Sequence, residues 1–320
     1  MKARISYYTT ILLVMSIFST AFGQFAVRSQ FEDQQSGYWI LGLNGGFSYQ
    51  SSDVDATSDG WGFGATLGKN VYYKKGAPLS FDLRGRLLLA QQYGLDATRS
   101  YDITNNEAVN GSDDADYINY PSGLGVDKGF VYHNHKTTVG EAALEGVFTL
   151  NQLQERTGIV ASIYGGIGLD VHATQTDQLN SQGEEYYPEY ANLSEDQKAA
   201  AIRKELKSAI LDNNYESFAD GYENGVKLTF MPSLGVELGY QLTPRFSVHA
   251  GHRFTFTRDN IIDGEQWKDD QNDLYHYTNF ALRWKVTPHH LRPKAPEITI
   301  YNPTGTPHSY SEDRFTVRAR

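Results

Sequence analysis

The chain of 320 residues contains no cysteine. An exported protein of this size without one carries no disulfide framework, no thiolate nucleophile and no thiol to accept a lipid anchor. Beyond its first two dozen residues it also lacks any apolar run of about 18 residues, so a crossing helix is excluded and a membrane could be spanned only by strands. Basic residues are in deficit, 28 against 38 acidic for a net charge of −10, which argues against nucleic acid as a partner. What is plentiful is aromatic and small. The 22 tyrosines, 16 phenylalanines and 30 glycines suit a barrel with aromatic girdles at both interfaces and small residues where strands crowd.

The opening, MKARISYYTTILLVMSIFSTAFGQ, places Lys2 and Arg4 before an apolar run from Ile11 to Phe18 and a small-residue exit at Ala21 and Gly23. Residues 1–23 are read as a signal peptide, because this core is too short to span a bilayer. The mature chain is then expected outside the cytoplasm, beginning with a polar lead-in over 24–36.

The stretch Leu79 to Tyr93, LSFDLRGRLLLAQQY, organises the rest. Leu79, Phe81, Leu83, Leu87 and Leu89 share one parity, and Ser80, Asp82, Arg84 and Arg86 share the other. This is the two-residue period of a strand. The pattern recurs seven times, over Trp39–Tyr49, Trp61–Tyr73, Thr137–Leu150, Ile159–Ala173, Val226–Leu242, Arg245–Thr257 and Leu274–Val286. Eight segments of this length, joined by connections that alternate between long and short, predict an all-β fold: an eight-stranded antiparallel up-and-down transmembrane barrel over 37–286. Pro232, mid-strand on the lipid-facing parity, removes a ladder donor and predicts a local bulge.

The first, third, fifth and seventh connections are the long ones. They are expected outside the cell, with the short turns and both barrel ends in the periplasm. Within the fifth, Ser194 to Leu211 (SEDQKAAAIRKELKSAIL) carries a Ser cap, acids in the first turn and an Ala201, Ile202, Leu206, Ile210 stripe, so a helix is expected over the outer mouth. After Val286 comes a Pro-rich linker over 287–296. Glu297–Tyr301 and Phe315–Ala319 then read as a hairpin opening a small β module over 297–320, expected to be the truncated start of a longer domain.

On these segments the chain resembles the OmpA/OmpX-type eight-stranded outer-membrane barrels. The Gln24 that follows the A-x-G exit and the tyrosine-rich style resemble Bacteroidota members. Tyr277 to Trp284, with Phe280, Leu282 and Trp284 alternating, is similar to the C-terminal signal read by the barrel-assembly machinery. PEITIYNPTGTP resembles the opening of an Ig-like repeat. The resemblance implies an outer-membrane location, with membrane lipid, the assembly machinery and a periplasmic or secretion-complex protein as partners.

A barrel of eight strands has a lumen just wide enough to be filled by side chains. Its polar parity supplies Asp82, Glu141, Glu145, Asp170 and Glu237 against Arg84, Arg86, Lys227, Arg253 and Arg283, a balanced set that reads as an internal plug. His133 and His135, with His172 near in level, form a candidate transition-metal site, although polar residues at a barrel mouth are the preferred reading and no cofactor is expected. Asp53-Val-Asp55-Ala-Thr57-Ser-Asp59-Gly60 alternates oxygen ligands as calcium loops do, but lacks the glutamate that closes them. Asp170 and His172 lie two apart on one strand without a nucleophile beside them, so no catalytic constellation is assigned. The function read from the sequence is non-catalytic, an envelope anchor or docking platform with acidic outer loops. The alternatives are a narrow pore or uptake accessory, and an outer-leaflet enzyme.

Overall fold

A computed structural model describes residues 36–52, 54, 57, 60–100, 132–177, 179–183, 186, 190, 193, 197–219, 222, 225–257, 262–264, 273–286, 298–301 and 307–310. The signal peptide at 1–23, the lead-in up to residue 35, the aspartates at 53, 55 and 59 and the strand read over 315–319 lie outside the described residues. Two units are separated at Val286 and Thr287.

The first unit is the barrel. Its barrel-closing strands are β1 (Trp39–Ser51), β2 (Trp61–Tyr72), β3 (Leu79–Leu95), β4 (Asn134–Leu150), β5 (Ile159–Thr176), β6 (Lys227–Gln241), β7 (Phe246–Phe256) and β8 (Leu274–Val286), and the two-residue strand Ser217–Phe218 pairs with the end of β5. Each of the eight pairs antiparallel with its neighbours in sequence, and β1 pairs with β8 from Trp39↔Val286 to Ser51↔Leu274, which closes the sheet. A rung followed from Leu43 through Ala65, Leu87, Ala142 and Leu169 reaches β6 at Phe230; followed the other way, through Leu282 and Val248, it arrives at Tyr240. This ten-residue stagger tilts the strands by roughly 35–45° and leaves a lumen the width of its side chains.

The alternation read from the sequence becomes an inversion of a soluble protein. Leu43, Leu87, Leu89 and Phe280 are 58%, 63%, 63% and 69% exposed, whereas Arg253 is 0% and Arg86 3%. No helix among the described residues is long and apolar enough to cross a membrane; the strands present the apolar band instead. Its lower edge is marked by Trp39, with the Lys69 ammonium 5.4 Å from its ring, and by Phe246 stacked on Trp284 at 5.9 Å. Trp61 and Tyr49 mark the upper edge. Closing the sheet satisfies the backbone, which an open edge in hydrocarbon could not do.

Several local expectations are corrected. The alternation over Trp61–Tyr73 puts Tyr73 on the apolar side with Trp61, but the β2–β3 register shifts between Asn70 and Tyr72, so Tyr72 turns out and Tyr73 is buried. The bulge expected at Pro232 is not in the β5–β6 ladder, where Pro232 pairs in register with Ile167. The β7 ladder begins one residue later, at Ser233↔Thr255, so the missing donor falls where pairing on that side ends. The fourth connection, read as a short turn, holds helix α1 (Asn151–Thr157), stopped by Gly158 at φ 75°. In the fifth, the described helix α2 spans Ala199–Glu205 and runs on as a π turn over Leu206–Ile210. Lys198, without a side-chain cap bond, is its N-cap, so the cap expected at Ser194 is displaced.

In the second unit, β9 (Ile298–Tyr301) pairs with β10 (Pro307–Tyr310) as an antiparallel hairpin. The first strand falls where it was read. Its partner is Pro307–Tyr310, nearer in sequence than Phe315–Ala319.

Candidate functional site

The lumen holds an ionic lattice built by inward-facing residues of five strands, β3, β4, β6, β7 and β8. Glu145 on β4 is its hub. Its Oε2 accepts from Arg84 Nε at 2.5 Å and from Arg86 Nη2 at 3.3 Å, and its Oε1 accepts from Arg86 Nε at 2.8 Å. Arg253 Nε stands 3.4 Å from the same Oε1. Glu237 on β6 accepts from Arg84 Nη1 at 2.9 Å and from Arg283 Nη2 at 2.5 Å. Glu141 takes both outer nitrogens of Arg253 at 2.5 Å, plus the Tyr275 hydroxyl at 2.6 Å. The Tyr164 ring supports the layer from below, 4.3 Å from the Arg84 guanidinium carbon. It lies over Gly235, where a Cβ would meet the far end of the ring and force it to move.

Seven of the ten charges assigned to the lumen from the sequence meet in this lattice: Arg84, Arg86, Glu141, Glu145, Glu237, Arg253 and Arg283. Lys227 does not. It sits at the outer end of β6 with its ammonium 5.3 Å from the Tyr222 ring. Asp82 accepts from Asn70 Nδ2 at 2.6 Å near the inner end. Asp170 is fully buried directly across from Glu141 and forms no ion pair among the described residues. All three keep the polar parity of their strands, but Lys227 lies above the lattice, Asp82 below it, and Asp170 beside Glu141. Tyr275 and Tyr164 were not singled out from the sequence; their inward parity was the available signal.

Above the lattice a second closure comes from the connection between β7 and β8. Ile262 inserts into the mouth and packs with Val139, Met231 and Tyr275. Its carbonyl accepts from Thr137 Oγ1 and Thr174 Oγ1, both at 2.6 Å, and its amide donates to Asp273 Oδ2 at 2.9 Å. Gly264 has φ 80°, and a Cβ there would meet Ala219 Cβ. The Ile-Ile pair inside an otherwise polar connection was the sequence signal for this cork. At the inner end α1 provides a third closure, with Gln154 Nε2 donating to Gln241 Oε1 at 2.7 Å. Asn151 and Glu155 tie α1 to the β2–β3 turn through Lys74, Ala77 and Gly76.

The histidines enter this packing separately. His133 Nε2 bonds the Asp263 carbonyl at 2.8 Å, His135 Nε2 contacts Gln50 Nε2 at 2.5 Å, and His172 contacts Tyr222 and Thr229 through its two ring nitrogens. The His133 and His135 rings are 5.4 Å apart. Among the described residues no three His, Asp or Glu side chains come together as metal ligands would. The calcium-type aspartates lie outside the described residues. Phe280, Leu282 and Trp284 line the outer face of β8, and the Tyr277 hydroxyl turns inward to Asn44 Oδ1 at 2.8 Å.

Outside the mouth the long connections build a core of their own. Leu95 at the end of β3, with Ala97 and Tyr132 from the third connection, packs with Tyr186, Tyr190, Leu193, Ile202, Leu206 and Leu211 from the fifth. Asp177 anchors this cap: its carboxylate accepts from the Tyr186 hydroxyl at 3.0 Å, the Asn213 amide at 2.8 Å and Asn134 Nδ2 at 3.1 Å. Burial, reinforced by Glu216 and Asp212, pushes its pKa up to about 7.

No protein-family model matches the chain, and no curated protein matches it in sequence. Among solved structures it is similar to the attachment invasion locus protein Ail of Yersinia pestis, at 8% identity over 79% of this chain and 100% of that one, with a TM-score of 0.37. It is also similar to Neisserial surface protein A, at 10% identity over 78% and 97%, TM-score 0.32, and to the outer membrane protease OmpT of Escherichia coli, at 6% identity over 79% and 99%, TM-score 0.34.

Proposed function

We propose that this chain is a non-conducting, non-catalytic outer-membrane anchor that displays a folded cap as a docking platform. The observation that carries the reading is the threefold obstruction of the lumen, by the Glu145 lattice, the Ile262 cork and the Gln154 contact of α1. A barrel specialised for passage would keep a wet path, whereas here buried charges face one another across the whole section. The cap supports the second half of the reading, since a hydrophobic core in loops beyond the sheet spends residues on a defined outer surface. In this reading the long connections lie outside the cell, the short turns and both ends lie in the periplasm, and the hairpin at 298–310 opens the periplasmic module that meets an envelope or secretion-complex protein.

The test is electrical and topological. Purified barrel in planar bilayers should show no stable open steps, and an epitope inserted after Asn214 should be stained on intact cells. Steady single-channel conductance from the unmodified protein would overturn the anchor in favour of a pore.

A further inference from the structure

The inner end of the barrel is held as one hydrogen-bonded plate. Asn151 Nδ2 donates to the Lys74 and Ala77 carbonyls and Gln152 Nε2 to the Gly76 carbonyl, all at 3.1 Å, which fixes α1 to the β2–β3 turn. The Gln241 amide donates to the Gly158 carbonyl at 2.9 Å and Gln241 Nε2 to the Pro244 carbonyl at 3.1 Å, which ties the C-cap of α1 to the β6–β7 turn. Four exposed cations stand on this plate, Lys74, Lys75, Arg156 and Arg245. The three turns, 73–78, 151–158 and 242–245, contain a single acid, Glu155. Its carboxylate accepts from the Tyr73 hydroxyl at 2.8 Å, the Gly76 amide at 3.1 Å and Asn151 Nδ2 at 2.9 Å, so it is turned into the plate. In a chain of net charge −10 these turns carry a positive surplus.

Depth narrows what such a surface could meet. Arg245 directly precedes the exposed Phe246, Lys74 and Lys75 follow the exposed Tyr72 by two and three residues, and Arg156 comes three residues before the exposed Ile159. At ~3.3 Å per residue along strands tilted by ~40°, three residues descend by about 8 Å. The polar layer of one leaflet is roughly 5–8 Å deep, so the four cations lie level with its phosphates. They also sit at separate points of the rim, at the ends of three different strand pairs, where lipids pack side by side. A single acidic protein would reach them only from below the headgroups. Guanidinium and ammonium groups are both phosphate partners, and each cation close to a charged membrane surface favours an anionic headgroup by on the order of fivefold.

We propose that this plate binds the phosphates of anionic phospholipids in the periplasmic leaflet, with Lys74, Lys75, Arg156 and Arg245 as the contacts. The proposal rests on the outer-membrane reading for the leaflet and goes beyond it in naming the lipid. Full-length protein is refolded into nanodiscs of phosphatidylcholine and phosphatidylglycerol in equal amounts, with heat-modifiable gel mobility reporting the folded barrel. Co-retained lipid is read by native mass spectrometry at low and at high salt, and a photoactivatable phosphatidylglycerol maps the contact peptides.

Phosphatidylglycerol should be retained at least about tenfold better than phosphatidylcholine at low salt, with the preference shrinking at high salt and crosslinks concentrating on the peptides that carry the four cations. The preference should disappear in Lys74→Ala/Lys75→Ala/Arg156→Ala/Arg245→Ala, fall partway in Lys74→Ala/Lys75→Ala and persist in Lys74→Arg/Lys75→Arg. Lys227→Ala, at the opposite end, should leave it unchanged. Should the fourfold variant not fold, the double alanine variant carries the same test. Equal retention of the two lipids by a folded, inserted parent overturns the proposal alone, as does an undiminished preference in the double alanine variant, or crosslinks confined to the outer end. Binding of a soluble polyglutamate peptide without any lipid preference would assign the plate to an acidic protein and overturn it as well. A chain that does not insert at all overturns both this proposal and the outer-membrane reading.

Discussion

Replacing Glu145 with glutamine tests the lattice at its hub. The substitution keeps volume and one acceptor oxygen but removes the charge that compensates Arg84 and Arg86 at 2.5 and 2.8 Å and lies 3.4 Å from Arg253. The site is 1% exposed, so water cannot fully replace the carboxylate. Removing one partner of a buried pair typically costs ~3–5 kcal/mol, because the remaining charge is left desolvated. Glutamine can still accept from one guanidinium, which puts Glu145→Gln near the lower end, ~3 kcal/mol. The cost should shrink by ~1–3 kcal/mol in an Arg84→Leu background, since groups in one network couple by that much. Lys227→Ala, at the rim beside Tyr222, should cost ~0–1 kcal/mol. The assay is equilibrium urea unfolding in phospholipid vesicles, followed by heat-modifiable gel mobility. A Glu145→Gln barrel within ~1 kcal/mol of the parent, or the same loss with and without Arg84, would refute the claim that these charges act as one unit.

Three further outcomes follow from other parts of the molecule. On the proposed membrane placement, which sets hydrocarbon and not water against the 63% exposed Leu87, Leu87→Arg should destabilise the vesicle-embedded barrel by ~2–4 kcal/mol; a negligible change in the same urea titration would contradict a lipid-facing exterior. Gly264→Val should loosen the cork, since φ 80° disfavours a β-branched residue and its Cβ would meet Ala219. Amide exchange at Ile262 is then expected to accelerate by about tenfold or more, a cost of at least ~1.4 kcal/mol. For Asp177 the folded pKa lies above the unfolded one, so the folded cap holds a proton that the unfolded chain releases. Stability of the cap should therefore be highest below about pH 4, fall as pH rises toward about 7 and level off above it. Exchange protection of the Asn213 amide, followed from pH 5 to pH 8 after correction for intrinsic rates, should decline in the parent and stay flat in Asp177→Asn.

The barrel was legible because its signal is one-dimensional. A period of two, repeated eight times, states which side of each strand is apolar, and Arg84, Arg86, Glu141, Glu145, Glu237, Arg253 and Arg283 all fell on the predicted side. Height along the strand depends on register and stagger, which come from pairing between distant segments. Lys227 and Asp82 were for that reason assigned to a lattice they do not join, whereas Asp170 shares a rung with Glu141 and meets no cation there among the described residues. The shift at Tyr72 was invisible for a related reason, since a one-residue irregularity reverses the parity of whatever follows it. The cork and the cap were beyond reach because they depend on loops folding against each other. Even so, the Ile-Ile pair and the Leu206 stripe marked the apolar residues involved.

The bond between the first strand and the last, Trp39↔Val286 through Ser51↔Leu274, has a consequence for biogenesis. Until the final segment has been delivered, β1 has no partner along one whole flank, and neither raw flank tolerates oil. A chain shortened by one strand at either end should therefore persist as a chaperone-bound, protease-sensitive species and not as a smaller version of the same protein. Insertion becomes a single commitment, made only when both extremities of the sheet are in hand.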